Sequence, residues 1–92
     1  MRNKEELHYV YILRCEDNSY YTGYTNDLDR RISLHNSGKA SKYTRARLPV
    51  VYIFYKAFKE KSRAMSFEYK IKKLNKNQKE NLIAGRLENF WI

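Results

Sequence analysis

His8-Tyr9-Val10-Tyr11-Ile12-Leu13-Arg14-Cys15 and Ser19-Tyr20-Tyr21-Thr22-Gly23-Tyr24-Thr25 flank the short segment Glu16-Asp17-Asn18. Both flanks are rich in β-branched and aromatic residues, and the segment between them carries turn formers, so the stretch predicts a two-stranded antiparallel hairpin. The turn length decides what the hairpin can do. A two-residue turn centred on Asp17-Asn18 would pair Tyr11 with Tyr24 and send Tyr21 to the opposite face. If Tyr11 and Tyr21 serve one site, an odd-length loop or a bulge must lie between Cys15 and Tyr21.

Beyond the hairpin, Asp27 precedes a helical pattern in which Leu28, Arg31, Ile32 and His35 share a stripe, and Asn36-Ser37-Gly38 ends it. Lys39 to Pro49 shows no period, carries four cations and no acid, and reads as an exposed loop. Val50 to Phe58 predicts a third strand. A second helix starts at Glu60, with Ala64, Phe67, Ile71 and Leu74 facing inward, and Asn75-Lys76-Asn77 breaks it. A shorter helix runs from about Gln78 to Ala84, and the tail with Phe90 and Trp91 is expected to pack back on the body. The order β-β-α-β-α-α predicts an α+β fold: a small three-stranded antiparallel sheet flanked by helices.

Ninety-two residues suit a single domain spanning 1–92. No stretch approaches the roughly 18 apolar residues that a membrane span needs, and Met1 to Leu7 is too polar for a signal peptide, so a cytoplasmic location with no membrane partner is expected. Cys15 is the single cysteine, which excludes an internal disulfide and a cysteine-built zinc site. Net charge is +9, and it is uneven: residues 1–37 hold five Lys or Arg against six Asp or Glu, residues 38–92 fourteen against four. Such a basic excess is the footprint of a nucleic-acid partner. An anionic lipid surface would call for a helix whose apolar face has nothing else to pack on, and here strands are available to cover it.

Four residue types suit phosphodiester chemistry. Arg31 lies on the inward stripe of its helix, where a guanidinium needs an anionic partner or a phosphate, whereas Arg30 points away. His35 sits one turn further along the same stripe, so the two can converge on one phosphate. Tyr11 and Tyr21 can activate water, provided neighbours such as Arg31 lower a phenol pKa from about 10. Ordinary alternatives exist for each: strand tyrosines mostly pack, an inward Arg can snorkel, and Glu68, amid Arg63, Lys70, Lys72 and Lys73, can form an i,i+4 ion pair with Lys72. Glu68 is nonetheless the single acid between Arg63 and Lys79. One carboxylate supports one Mg²⁺ or Mn²⁺ ion, completed by phosphate oxygens and water.

Tyr9-Val10-Tyr11 and Tyr21-Thr22-Gly23 resemble the two signature triplets of the GIY-YIG nuclease superfamily, most of all its stand-alone single-domain bacterial proteins, over roughly Tyr9 to Leu74. Tyr9 replaces the first Gly and Thr22 the usual Ile or Val, while the phenols remain. The resemblance implies a metal-dependent endonuclease acting on DNA. In it Tyr11 or Tyr21 activates water, Arg31 stabilises the phosphorane, His35 assists and Glu68 holds the ion at the leaving oxygen. Many members also carry a late Asn near the site, and Asn75 and Asn81 both lie in that part of the chain. Gly23 would allow close backbone approach at the rim of the site. Lys39, Lys42, Arg45, Arg47, Lys70 and Lys73 would grip the phosphate backbone, and Tyr43 could stack on a base of branched, single-stranded or damaged DNA. The rival reading is a nucleic-acid-binding module with weak or lost catalysis, which would not need Glu68.

Overall fold

A computed structural model describes residues 6–86. Within them the elements run β1 (His8–Arg14), β2 (Tyr20–Thr25), α1 (Leu28–Asn36), α2 (Lys42–Arg45), β3 (Val51–Phe58), α3 (Lys61–Lys72) and α4 (Lys76–Ile83). The expected α+β architecture is the observed one. The sheet is antiparallel throughout with strand order β2-β1-β3. Phe90 and Trp91, expected to pack on the body, lie outside the described residues.

β1 is central, and helices cover both sides of it. Val10, Tyr11, Ile12 and Leu13 are therefore all buried in succession, where a sheet covered on one side would alternate. Val10 and Ile12 join Ala64, Phe67, Ile71 and Leu82 in one apolar core beneath α3 and α4. Tyr11, Leu13, Cys15 and Val50 form a second core on the other face, against Leu28 and Ile32 of α1.

The hairpin turn has three residues, as the shared-face requirement demands. The Cys15 N–H donates to the Ser19 carbonyl at 2.8 Å and the Asn18 N–H to the Cys15 carbonyl at 2.9 Å. Asn18 takes the left-handed conformation, φ 67°, which Asn tolerates better than most residues. Tyr11 consequently pairs with Gly23 and Leu13 with Tyr21, so Tyr11 and Tyr21 project from one face. On the other side of β1 the register slips by one between Ile12 and Leu13, because Ile12 pairs with Phe54 and Leu13 with Tyr52. That bulge puts Tyr52 and Tyr55 on the same face as Tyr11 despite their odd spacing.

Lys39 to Pro49 is not the exposed, featureless loop expected. Ser41 caps α2 by accepting the Thr44 N–H at 3.0 Å, and Thr44 is fully buried. Asn36 clamps the far end, donating to the Val50 carbonyl at 3.1 Å and accepting its N–H at 2.8 Å. The segment is also tied to the hairpin turn, where Glu16 N–H reaches the Arg47 carbonyl at 2.9 Å. Four residues of helix are too few to show a period, which is why the pattern was invisible.

Candidate functional site

Asp27 starts α1 by accepting the Arg30 N–H at 3.0 Å, and Gly38, at φ 79°, closes it with its N–H on the His35 carbonyl at 3.0 Å. With its ends so placed, α1 aims His35 down into the second core, where it is 1 % exposed. The Tyr11 hydroxyl meets His35 Nε2 at 2.8 Å, and His35 Nδ1 meets Thr44 Oγ1 at 2.9 Å. Thr44 Oγ1 lies 2.8 Å from Ser41 Oγ. A row of four polar side chains thus runs from the central strand to the cap of α2.

Burial, with the Arg31 charge beside it, holds the His35 pKa down to about 4, so the imidazole is neutral at pH 7 and carries one N–H. Two proton arrangements satisfy the row. Either Tyr11 donates to Nε2 and Nδ1–H donates to Thr44, or Thr44 donates to Nδ1 and Nε2–H donates to Tyr11. They differ in the imidazole tautomer and in the rotation of the two hydroxyls, and in both His35 is neutral with its two ring nitrogens paired.

Gly23 has a different task from the one expected at the rim. It is buried opposite Tyr11, and a Cβ there would lie 2.5 Å from the Tyr11 hydroxyl oxygen and 2.6 Å from its Cζ. The missing side chain makes room for the phenol rather than for a ligand. The expected lowering of the phenol pKa is also reversed at Tyr11. Desolvation by burial pushes it up, Tyr21 and Glu68 add to the rise, and Arg31 offsets only part of it. Tyr11 is therefore a protonated hydrogen-bond partner at neutral pH, not a ready base.

Tyr21 stands beside this row half-buried, its ring 5.3 Å from His35 and 6.1 Å from Tyr43. Its hydroxyl makes no hydrogen bond to any described residue, so of the two phenols it is the one open to an incoming group. Arg31 is half-buried and Arg30 exposed, as the helical stripe predicts. The Arg31 charge acts on Tyr11, His35 and Tyr52 together, and no carboxylate among the described residues forms an ion pair with it. Tyr52, which the sequence did not single out, stacks edge-on to Tyr11 at 5.3 Å and donates to the Leu28 carbonyl at 2.7 Å, fixing α1 to the sheet.

Glu68 comes from the other side of the sheet. Its side chain is 17 % exposed, its Oε2 pairs with Lys72 Nζ at 3.4 Å, and its charge reaches Tyr11. Among the described residues no group of three or more His, Cys, Asp or Glu side chains gathers as a metal cage. The donor set fits one ion only in part: Glu68 supplies one carboxylate, already shared with Lys72, and the remaining ligands would be substrate oxygens and water.

The proposed backbone-gripping cations divide. Lys39, Lys42 and Arg45 are exposed. Arg47 is occupied: its Nε pairs with Asp17 at 3.1 Å, its guanidinium donates to the Tyr43 carbonyl at 2.8 Å and covers the Tyr43 ring at 3.8 Å. One face of Tyr43 is thereby taken already. Lys73 lies over the Tyr69 ring at 4.3 Å, and Lys70 lines a groove on the far flank of α3. Asn75 is accounted for structurally, since it caps α4 in a reciprocal box with Gln78. Asn81 accepts a hydrogen bond from Arg86 at 3.3 Å.

Comparisons with known proteins agree with this fold. The family model described as the GIY-YIG catalytic domain matches residues 7–81. The chain belongs to the GIY-YIG family. Among its relatives, a UPF0213 protein of Staphylococcus haemolyticus is 51 % identical over 79 residues, covering 86 % of this chain and 96 % of that one. UPF0213 protein YazA of Bacillus subtilis is also 51 % identical over 79 residues, 86 % of this chain and 80 % of its own. The solution structure of the UPF0213 protein BH0048 from Bacillus halodurans superposes with a TM-score of 0.58 at 48 % identity, covering 92 % of this chain and 90 % of that one. The protein EF2693 from E. faecalis does so at 0.62 and 43 % identity, covering 91 % and 88 %. A GIY-YIG scaffold therefore carries the Tyr11–His35–Thr44 row and the Arg31 guanidinium.

Proposed function

We propose that this GIY-YIG chain is foremost a nucleic-acid-binding domain that takes a backbone phosphate of DNA at Arg31, beside the open Tyr21 hydroxyl. One observation carries the reading. Arg31 is a half-buried guanidinium without a carboxylate partner among the described residues, in a chain whose residues 38–92 hold fourteen cations against four acids. A half-buried guanidinium fork of this kind is completed by a phosphate. Two features weigh against efficient cleavage by the protein's own groups: Tyr11 is harder to deprotonate than a free phenol, and Glu68 is engaged with Lys72.

A second reading, metal-dependent hydrolysis of DNA phosphodiesters, is favoured by one further observation: the neutral His35 hydrogen-bonded to Tyr11, with the Glu68 charge in reach. Glu68 would hold Mg²⁺ or Mn²⁺ together with substrate oxygens, and the ion would supply Lewis-acid help to the leaving oxygen. Tyr21 would meet the incoming water, Arg31 would stabilise charge on the phosphorane, and His35 would take or return the Tyr11 proton.

A panel of linear, flapped, branched, single-stranded and abasic DNAs, each with Mg²⁺, Mn²⁺ or EDTA, tests both readings. Arg31→Ala should weaken binding about tenfold or more with the fold intact. Unchanged affinity would remove the phosphate from Arg31. Cleavage by the wild type that drops by several orders of magnitude in Glu68→Gln would establish the hydrolytic reading; binding without cleavage, indifferent to Glu68→Gln, leaves the binding module.

A further inference from the structure

On the side of α3 away from Glu68, the structure holds a groove of about 620 Å³ between the end of β3 and the first three turns of the helix. Lys56, Lys59, Arg63 and Lys70 line it, against the single acid Glu60. Half-buried Phe58 forms an aromatic floor, its ring 5.2 Å from that of the core residue Phe67, with Lys56 Nζ 5.6 Å over it. Glu60 occupies the N-cap of α3 but makes no side-chain cap, so the positive end of a 12-residue helix also opens here. At about 100° per residue, Ser66 and Lys70 lie roughly 200° round the helix from Glu68. The groove is thus a separate surface from the Arg31 cluster.

We infer that this groove is a second nucleic-acid site, which holds a single-stranded segment with its phosphates on Lys59, Arg63 and Lys70 and a base or sugar against the aromatic floor. The inference rests on the nucleic-acid reading above. Charge complementarity selects a polyanion, and the aromatic floor suits a nucleotide better than a bare phosphate. The aromatic floor selects a single strand, because a base can lie against a protein ring only when it is unpaired and out of its own stack.

The test is a metal-free titration of ¹⁵N-labelled full chain, wild type and Lys59→Gln/Arg63→Gln, read by amide shifts and by anisotropy. Four probes are compared: a single-stranded oligonucleotide of about 12 nucleotides, the matching duplex, inorganic phosphate, and phosphatidylserine vesicles. Both substituted side chains are exposed, so the double variant should keep its fold, and the amide spectrum verifies this. Expected are single-strand-induced shifts at the amides of residues 59–70 and about a tenfold loss of single-strand affinity in the variant. The slope of log K against log salt should flatten by about 1.4, two contacts at about 0.7 each. Shifts confined to the α1 and α2 amides, with variant affinity unchanged, would overturn the groove and leave the Arg31 reading standing. Equal shifts from inorganic phosphate alone, or binding to vesicles lost in place of binding to the strand, would also overturn it. No binding of any nucleic acid by the wild type would sink both readings.

Discussion

The two faces of the sheet are buried to similar depth but built from different chemistry. Beneath α3 and α4, Val10, Ile12, Ala64, Phe67, Ile71 and Leu82 close a core held by shape and volume. Beneath α1 and α2, the core contains Tyr11, His35 and Thr44, all but fully buried and joined by hydrogen bonds of 2.8 and 2.9 Å. Packing alone is tolerant of hydrophobic exchange, whereas a hydrogen-bonded row is directional and loses much if one member moves. The difference separates a face held by shape and volume from a face held by a directional row of hydrogen bonds.

Acid should separate the two faces most strongly. His35 has a folded pKa near 4 against an ordinary value of 6.5, so between these values the unfolded chain binds the additional proton. The stability contributed by neutral His35 is complete above pH 6.5 and is lost as pH falls towards 4, on the order of 3 kcal/mol. Urea unfolding of the wild type and His35→Gln across this window measures the term. The difference between the two should shrink as pH falls, and parallel curves would show that His35 is not held neutral. Carboxylates such as Asp17 titrate in both proteins and cancel in the comparison.

Gly23→Ala attacks the polar face by volume alone. The added Cβ falls on the Tyr11 phenol, so the ring must move and its bond to His35 must lengthen or break. A loss of about 2 kcal/mol is expected, together with a change in the ring signals of His35. A variant as stable as the wild type, with His35 unperturbed, would show that Tyr11 has room the structure does not display.

The smallest effect belongs to the apolar face. Thr22 is 5 % exposed, and its Oγ1 has no hydrogen-bond partner among the described residues. Thr22→Val keeps the shape and removes the unsatisfied hydroxyl, and should stabilise by about 1 kcal/mol. Destabilisation would mean that the hydroxyl has a partner, such as a buried water.

Much of the site was legible in particular residues. The Leu28–Arg31–Ile32–His35 stripe set Arg31 inward and Arg30 outward, and the shared-face requirement on Tyr11 and Tyr21 demanded the odd turn that Asn18 completes. Thr44 was illegible. It lies in a four-residue helix inside a run of cations, and its role comes from a hydrogen bond nine residues away in sequence. Arg47 looked like its neighbours Lys42 and Arg45, yet Asp17, thirty residues earlier, holds it. Tyr52 and Tyr55 could not be placed because the bulge at Ile53 changes which face they share.

Local periodicity, turn chemistry and charge by themselves determined the strands, α1, α3, α4, the antiparallel hairpin and the basic character of the C-terminal part, because each depends on neighbours within a few residues. Tertiary structure alone decided the strand order and which phenol stays open. It alone put Gly23 beneath Tyr11, set the pKa of His35 and Tyr11, and left the groove beside α3. These depend on burial and on contacts between residues distant along the chain, and a one-dimensional pattern does not encode the desolvation that such contacts impose.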